Sequence, residues 1–322
     1  MQHIHTHIQT LCADVAHPQI LLGLSGGPDS VFLFYALLAL HEQDLLTMHA
    51  LHINHEWRES AAHDEAFCAD LCARHGITLV REKARTWAHS VPPHKQHSGS
   101  KEADAREVRR IIFAHYRQTL GCDYVALAHH ANDQIETFFI RLIRGAGLTG
   151  LCGMHEKEDG IIRPLLGMFK QDIIAWLAQN NKAFCLDETN DAPEFLRNRI
   201  RAQLIPALTQ CDQRALSSLT RTIQHLQQED AVMEEITTAT LHHLQEEDGR
   251  YAIAPLMSCL PALRARVLTQ LLIMHGIPFT PSEGFFAEIG RFLSSPRGGR
   301  HVIALGWAIE KQRQTFCLIK IS

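Results

Sequence analysis

The hexapeptide Ser25-Gly26-Gly27-Pro28-Asp29-Ser30 constrains the fold more than any other stretch, because of what lies on either side of it. Ile20 to Leu24 is a short apolar run, as expected of a strand buried on both faces in a parallel sheet. Val31 to Leu40 is almost wholly apolar and long enough for a buried helix. The hexapeptide is therefore a strand-to-helix turn at the carboxyl end of the first strand, where open α/β sheets bind ligands. Gly26 and Gly27 are expected to take positive φ and let the backbone approach a ligand closely. Their N–H groups, with those opening the helix and the hydroxyls of Ser25 and Ser30, would form an anion cradle. No lysine follows the glycines, so this is not the G-x-x-x-x-G-K-[ST] loop. Asp29 would repel phosphate unless a cation lay between them, and Mg²⁺ shared by a carboxylate and phosphate oxygens resolves that conflict. The competing reading of Ser and Asp here is a plain helix N-cap.

The chain has 322 residues, 46% hydrophobic and 20% charged, enough for one large or two modest ordered domains. The longest apolar stretch is too short to span a bilayer, and the polar, His-rich start has no signal-peptide pattern. The nine cysteines are scattered without a C-x-x-C pair, which suits free thiols in a reducing cytoplasm. A net charge of −4 gives no global nucleic-acid signature, so any such role rests on local patches. The 22 histidines are mostly isolated and read as ordinary surface or core residues.

Further strands are expected at 47–54, 78–81, 124–128 and 161–166, giving a five-stranded parallel sheet with interleaved helices. His52-Ile53-Asn54-His55-Glu56-Trp57-Arg58 ends the second strand and can face the same crevice as the hexapeptide, with Ser60 capping the next helix. Residues 84–100, with Pro92-Pro93 and Ser98-Gly99-Ser100, read as an irregular loop or a substrate lid. Lys101 to Gln118 is a helix whose Arg106, Arg109 and Arg110 share a face; acidic neighbours also allow a solvated surface. Asp133 and Glu136, three apart after the fourth strand, could hold Mg²⁺ or an ammonium group, or form an Asp-x-x-Glu capping box. Gly145-Ala146-Gly147 with Gly150 follows a helix rather than a strand, which excludes a dinucleotide fingerprint. Asp187 to Asp191 is a polar turn, and a helix from Phe195 to Leu208 carries Arg197, Arg199 and Arg201, a credible phosphate-binding element. Residues 209–248 read as one long amphipathic helix, either continuous or broken once, followed by shorter helices and a small β meander.

Ser25 to Ser30 resembles the SGGxDS loop of the PP-loop, or N-type, ATP pyrophosphatases, which hold the β,γ-diphosphate of ATP and split the α–β bond. Four ordered blocks between residues 20 and 210 resemble the tRNA(Ile)-lysidine synthetase family: the loop with His52 to Arg58, the helix Glu102 to Arg110, the run His129 to Met154, and Arg197 to Leu208. Trp57 stands for the family's leucine, Arg110 for its tyrosine, and Asn132 for the first aspartate of its D-D pair. The resemblance implies a PP-loop catalytic domain over 1–210 and a smaller, mainly helical tRNA-binding domain over 211–322. It implies ATP and Mg²⁺, free L-lysine, and an isoleucine tRNA with a CAU anticodon, whose wobble cytidine is adenylated and then attacked by the lysine ε-amine. The site it implies has Asp29, Arg106, Asp133 and Glu136 as catalytic residues. Ser25, Gly26, Gly27, Pro28, Asp29, Ser30, His55 and Arg197 would hold ATP, with Asp29 on the metal. Asp133 and Glu136 would hold lysine, and Arg141, Arg144, Arg199 and Arg201 tRNA. No membrane partner is expected, and a homodimer is left open.

Overall fold

The computed structural model describes residues 1–56, 61–91, 101–186 and 196–321, with only the backbone for 101–103. Trp57, Arg58, Ser60, the 92–100 loop, the Asp187–Asp191 turn and Phe195 lie outside the described residues. The chain forms two compact units, Met1–Gln224 and His225–Ser322.

The first unit is built on a six-stranded sheet. It comprises β1 (Gln19–Gly23), β2 (Thr47–Asn54), β3 (Leu79–Lys83), β4 (Tyr124–Ala126), β5 (Lys157–Glu158) and β6 (Ile161–Ile162), in the order β3-β2-β1-β4-β6-β5. The five expected strands are parallel. A sixth, β5, runs antiparallel at the edge and was not anticipated. Its origin is local. Asp159 and Gly160 both take positive φ, 49° and 75°, making a two-residue hairpin turn of the primed type.

Helices cover both faces, which is why the central strands are apolar throughout. Ile20, Leu21 and Leu22 of β1 are fully buried. Ile20 and Leu22 pack with Phe32, Leu33, Phe34 and Leu37 of α2 (Pro28–His41) on one side, while Leu21 packs with Val108 and Ile112 of α4 (Lys101–Thr119) on the other. Each buried Leu or Phe contributes about 1.5–3 kcal/mol. The Phe32 ring also meets Trp176 of α7 (Lys170–Gln179) edge-on at 5.1 Å. Around these lie α1 (Gln2–Leu11), α3 (Ala61–Arg74), α5 (Ala131–Ile143) and α6 (Leu148–Leu151). The start of the expected 84–100 loop is instead a 3₁₀ helix, Ala84–Ser90, whose Trp87 Nε1 donates to Glu82 at 2.9 Å.

Chain order places the ligand crevice. After β1 the chain builds β2 and β3 on one side, then crosses to lay β4 on the other. The switch point is thus between the carboxyl ends of β1 and β4. The expected 195–208 helix is interrupted: α8 (Leu196–Arg199), a π-helical turn (Ile200–Leu204) and α9 (Ile205–Cys211) follow one another.

The division between units falls within α10, which is continuous from Ala215 to Leu244. In the second unit α11 (Ile253–Ser258), α12 (Pro261–Met274) and α13 (Glu283–Ser294) pack against an antiparallel sheet of β7 (Tyr251–Ala252), β8 (Gly299–Ala304), β9 (Trp307–Gln312) and β10 (Thr315–Lys320). Its core includes Leu244, Leu256, Leu268, Leu271, Ile309 and Phe316. Among the described residues no helix is long and apolar enough to cross a membrane.

Candidate active site

The hexapeptide is a tight, self-bonded turn. Ser25 N–H donates to Ser30 Oγ at 3.2 Å, and the two hydroxyl oxygens lie 3.1 Å apart. Ser30 Oγ donates to the Gly27 carbonyl at 3.0 Å, and Gly27 N–H donates to Ser25 Oγ at 3.3 Å. Gly26 takes φ +88°, and a side chain there would press on Cys68 and Cys185. Gly27 departs from expectation: its φ is −70°, the extended geometry of an N-cap. Its lack of a side chain serves access, since a Cβ would meet only Ser25 Oγ, at 3.5 Å. Pro28 is the first helical residue, where its missing N–H costs nothing.

Asp29, in the first turn of α2, projects toward β4. Its Oδ2 lies 3.6 Å from His130 Nε2 and 3.6 Å from Lys170 Nζ. Burial alone would raise its pKa, but His130 and Lys170 outweigh burial and hold the carboxyl below the usual range. Its Oδ1 is buried and makes no hydrogen bond among the described residues. No group of three or more His, Cys, Asp or Glu side chains suited to a metal ion occurs among those residues. The orphaned carboxylate oxygen of Asp29 is a hard donor of the kind Mg²⁺ takes.

The entry to α5 is a capping box, though not the one expected. His130 is the N-cap: its Nδ1 accepts from Asp133 N–H at 3.3 Å, while Asp133 Oδ2 accepts from His130 N–H at 3.0 Å. Asp133 is thus the third residue of the box. His130 is buried, which would lower its pKa, but Asp29 and Asp133 on either side raise it. Asn132 accepts the Lys170 N–H at 3.0 Å through Oδ1. Glu136, only 1% exposed, is gripped by the Arg201 guanidinium, with Nε on Oε1 at 2.7 Å and Nη2 on Oε2 at 3.0 Å. Arg197 Nε lies 3.5 Å from Oε2. Two calls from the sequence therefore meet each other: Glu136 is held by Arg201 and is closed off, while the Arg201 side chain stays partly exposed.

His55 and His129 flank this region, and the pKa of each is pushed down, that of His55 to about 4. Burial is the main cause at each, reinforced by Arg109 and His52 at His55. At His129 the charge of Asp133 opposes burial, while Arg163, Arg109 and Arg197 add to it. Arg106 and Arg109 are both exposed, but it is Arg109 whose charge reaches the two imidazoles. Arg141 donates to the carbonyls of Gly150 and Gly153 at 2.7 and 3.0 Å, so it holds the glycine-rich turn together. Arg144 and Arg199 are exposed. The site expected from the sequence left out His130 and Lys170, and it left out Arg109, which was placed only on the helix face shared with Arg106. His130 could have been found as the residue three before Asp133, the N-cap to N3 spacing of a capping box; Lys170 carries no local signal at all.

A glycine-rich loop and a helix entry carrying His130 and Asp133, meeting at the switch point of a doubly wound sheet, define a nucleotide-binding α/β domain. The chain belongs to the PP-loop domain family, whose model matches residues 1–208. It is 32% identical over 271 residues to the tRNA(Ile)-lysidine synthase of Parabacteroides distasonis, covering 84% of this chain and 60% of that protein. It is 35% identical over 225 residues to the protein of the same name from Symbiobacterium thermophilum, covering 68% and 46%. For the one from Nitrosomonas europaea, identity is 30% over 290 residues, covering 88% and 60%. The chain thus spans 46% to 60% of these relatives' length. Among solved structures, the U34-tRNA thiolase NcsA from Methanococcus maripaludis superposes with a TM-score of 0.58 at 16% identity, over 70% of this chain and 78% of that one. That likeness bears on the fold alone.

Proposed function

We propose that this chain joins L-lysine to C2 of the wobble cytidine of an isoleucine tRNA with a CAU anticodon, consuming ATP and releasing AMP and diphosphate. The observation that carries the reading is the meeting of the Ser25–Ser30 loop and the His130–Glu136 helix entry across the β1–β4 switch point, in a chain whose relatives bear the lysidine synthase name. The loop's N–H groups and hydroxyls hold the β,γ-diphosphate. Asp29, whose Oδ1 has no hydrogen-bond partner among the described residues, would hold Mg²⁺, and the ion would supply neutralising charge for the departing diphosphate. Arg106 and Arg197 would meet the α-phosphate. Asp133 takes the lysine ammonium and accepts the proton that must leave before the amine attacks. Glu136 joins it only where Arg201 gives way, and Arg201, Arg199, Arg144 and Arg141 face RNA. Residues 1–210 carry the chemistry and 211–322 hold tRNA, in the cytoplasm.

The test is incubation with Mg²⁺, ATP, labelled lysine and the CAU-anticodon tRNA, following label into RNA beside AMP and diphosphate release. Label in RNA that disappears when the wobble cytidine is changed is the expected result. AMP release without lysine in RNA would overturn the acceptor, and no ATP cleavage with any tRNA would overturn the reaction.

A further inference from the structure

The Ser25–Ser30 loop holds phosphate-binding N–H groups and hydroxyls but no cation of its own, and its one charged residue, Asp29, is negative. The cation comes from elsewhere in the chain. Lys170 opens α7, and its Nζ lies 3.6 Å from Asp29 Oδ2, against the rim of the loop. Its side chain is 41% exposed, so the ammonium is reachable by a ligand as well as by Asp29. Asp29 is the one carboxylate it faces within ion-pair distance among the described residues.

The position of Lys170 is fixed from the neighbouring strand's side. Asn132 Oδ1 accepts the Lys170 N–H at 3.0 Å, and Ala131 N–H donates to the Met168 carbonyl at 2.8 Å. These two bonds tie the segment before α7 to the entry of α5. Phe169 caps α7 with no side-chain acceptor, and a ten-residue helix adds partial positive charge at this end. Asn132 is the position where the resembled block carries an aspartate. An amide oxygen accepts the N–H as a carboxylate would, but adds no negative charge beside Lys170.

We propose that Lys170 supplies the missing cation of the glycine loop, binding diphosphate oxygens of ATP, and that Asn132 is the positioning residue that sets it there. The ammonium passes from Asp29 Oδ2 to phosphate oxygens as the nucleotide enters, which frees that carboxylate. This rests on the reading that the loop holds the diphosphate of ATP, but not on lysine or tRNA being the acceptors.

The test is calorimetric titration of the full chain, in excess Mg²⁺, with inorganic pyrophosphate and separately with AMP. Lys170→Met is expected to weaken pyrophosphate binding by about tenfold or more, the loss of one charge-assisted contact. AMP binding should change by less than about twofold. Lys170→Arg should recover most of the loss, because the charge is kept. Asn132→Asp, which preserves the N–H acceptor, should weaken pyrophosphate by about threefold, equivalent to roughly half of a tenfold step in free energy. Unchanged pyrophosphate affinity in Lys170→Met would overturn the proposal. So would equal loss of pyrophosphate and AMP, which marks a structural defect, or failure of the wild-type chain to bind pyrophosphate. A chain that binds pyrophosphate through Lys170 yet places no lysine in RNA would sink the proposed reaction and leave this role standing.

Discussion

Single residues in this site are defined by what already holds them. Glu136 is buried and both its oxygens take the Arg201 guanidinium, with Arg197 Nε farther off at 3.5 Å, so removing Arg201 leaves a buried carboxylate with only its weaker partner. Arg201→Ala is expected to cost about 3 kcal/mol of unfolding free energy in a urea titration. Glu136→Gln with Arg201→Ala together should cost less than the sum of the singles, by at least about 1 kcal/mol. The histidines give a pH dependence of definite sign. In the folded chain burial holds His55 down to about 4 and also holds His129 below the ordinary value near 6.5. Between those values the unfolded chain binds more protons, so stability falls as pH drops from about 6.5 to about 4. Each contributes at most about 1.4 kcal/mol per pH unit. Urea midpoints measured across that window should show the slope, and His129→Gln should flatten it. A slope unchanged in His129→Gln would remove that residue from the account.

Elements were legible where their signal was local. The apolar run at Ile20–Leu22, the all-apolar face of α2 and the alternation of strands with helices gave the parallel sheet and the place of the loop. The β5–β6 hairpin was written in Asp159-Gly160 but is only two residues long on each side, too short to show alternation. Gly160→Ala should weaken it: φ is +75°, a conformation strained for a side chain, although the Arg117 guanidinium that a Cβ would meet can swing away. A loss of about 1–2 kcal/mol in the same titration is expected. The capping box was misread by one turn, because Asp133 and Glu136 fit the spacing as well as His130 and Asp133 do. Only geometry shows that Glu136 faces Arg201 instead. The π-helical turn at Ile200–Leu204 had no sequence sign, since nothing in Ile-Arg-Ala-Gln-Leu distinguishes it from an α-helix. His130→Ala should fray the start of α5, costing about 1 kcal/mol for the lost cap.

At the scale of the whole molecule, each compact unit has its own apolar core. The second closes around α12, α13 and the antiparallel sheet, and it uses α10 only through residues beyond the division, such as Leu241 and Leu244. A fragment comprising residues 225–322 is therefore expected to fold alone, with a cooperative circular-dichroism melt. A featureless, non-cooperative melt would show that this core is insufficient. What the sequence could not reveal at this scale is which distant residues meet. Lys170 reaches Asp29 only through the strand order, and no spacing along the chain encodes that approach.

The placement of β4 beside β1 has a consequence in time. The glycine loop ends at Ser30, but its partners His130 and Lys170 are synthesised a hundred residues and more later. A chain emerging from the ribosome carries a finished anion loop long before β4 can dock next to β1. Until that pairing forms, Asp29 has neither His130 nor Lys170, and the loop has no cation. The early loop is therefore expected to remain silent toward nucleotide, and competence to arrive in one late step with the closing of the sheet. Nascent chains arrested before and after residue 170 would divide sharply in their capacity to retain pyrophosphate.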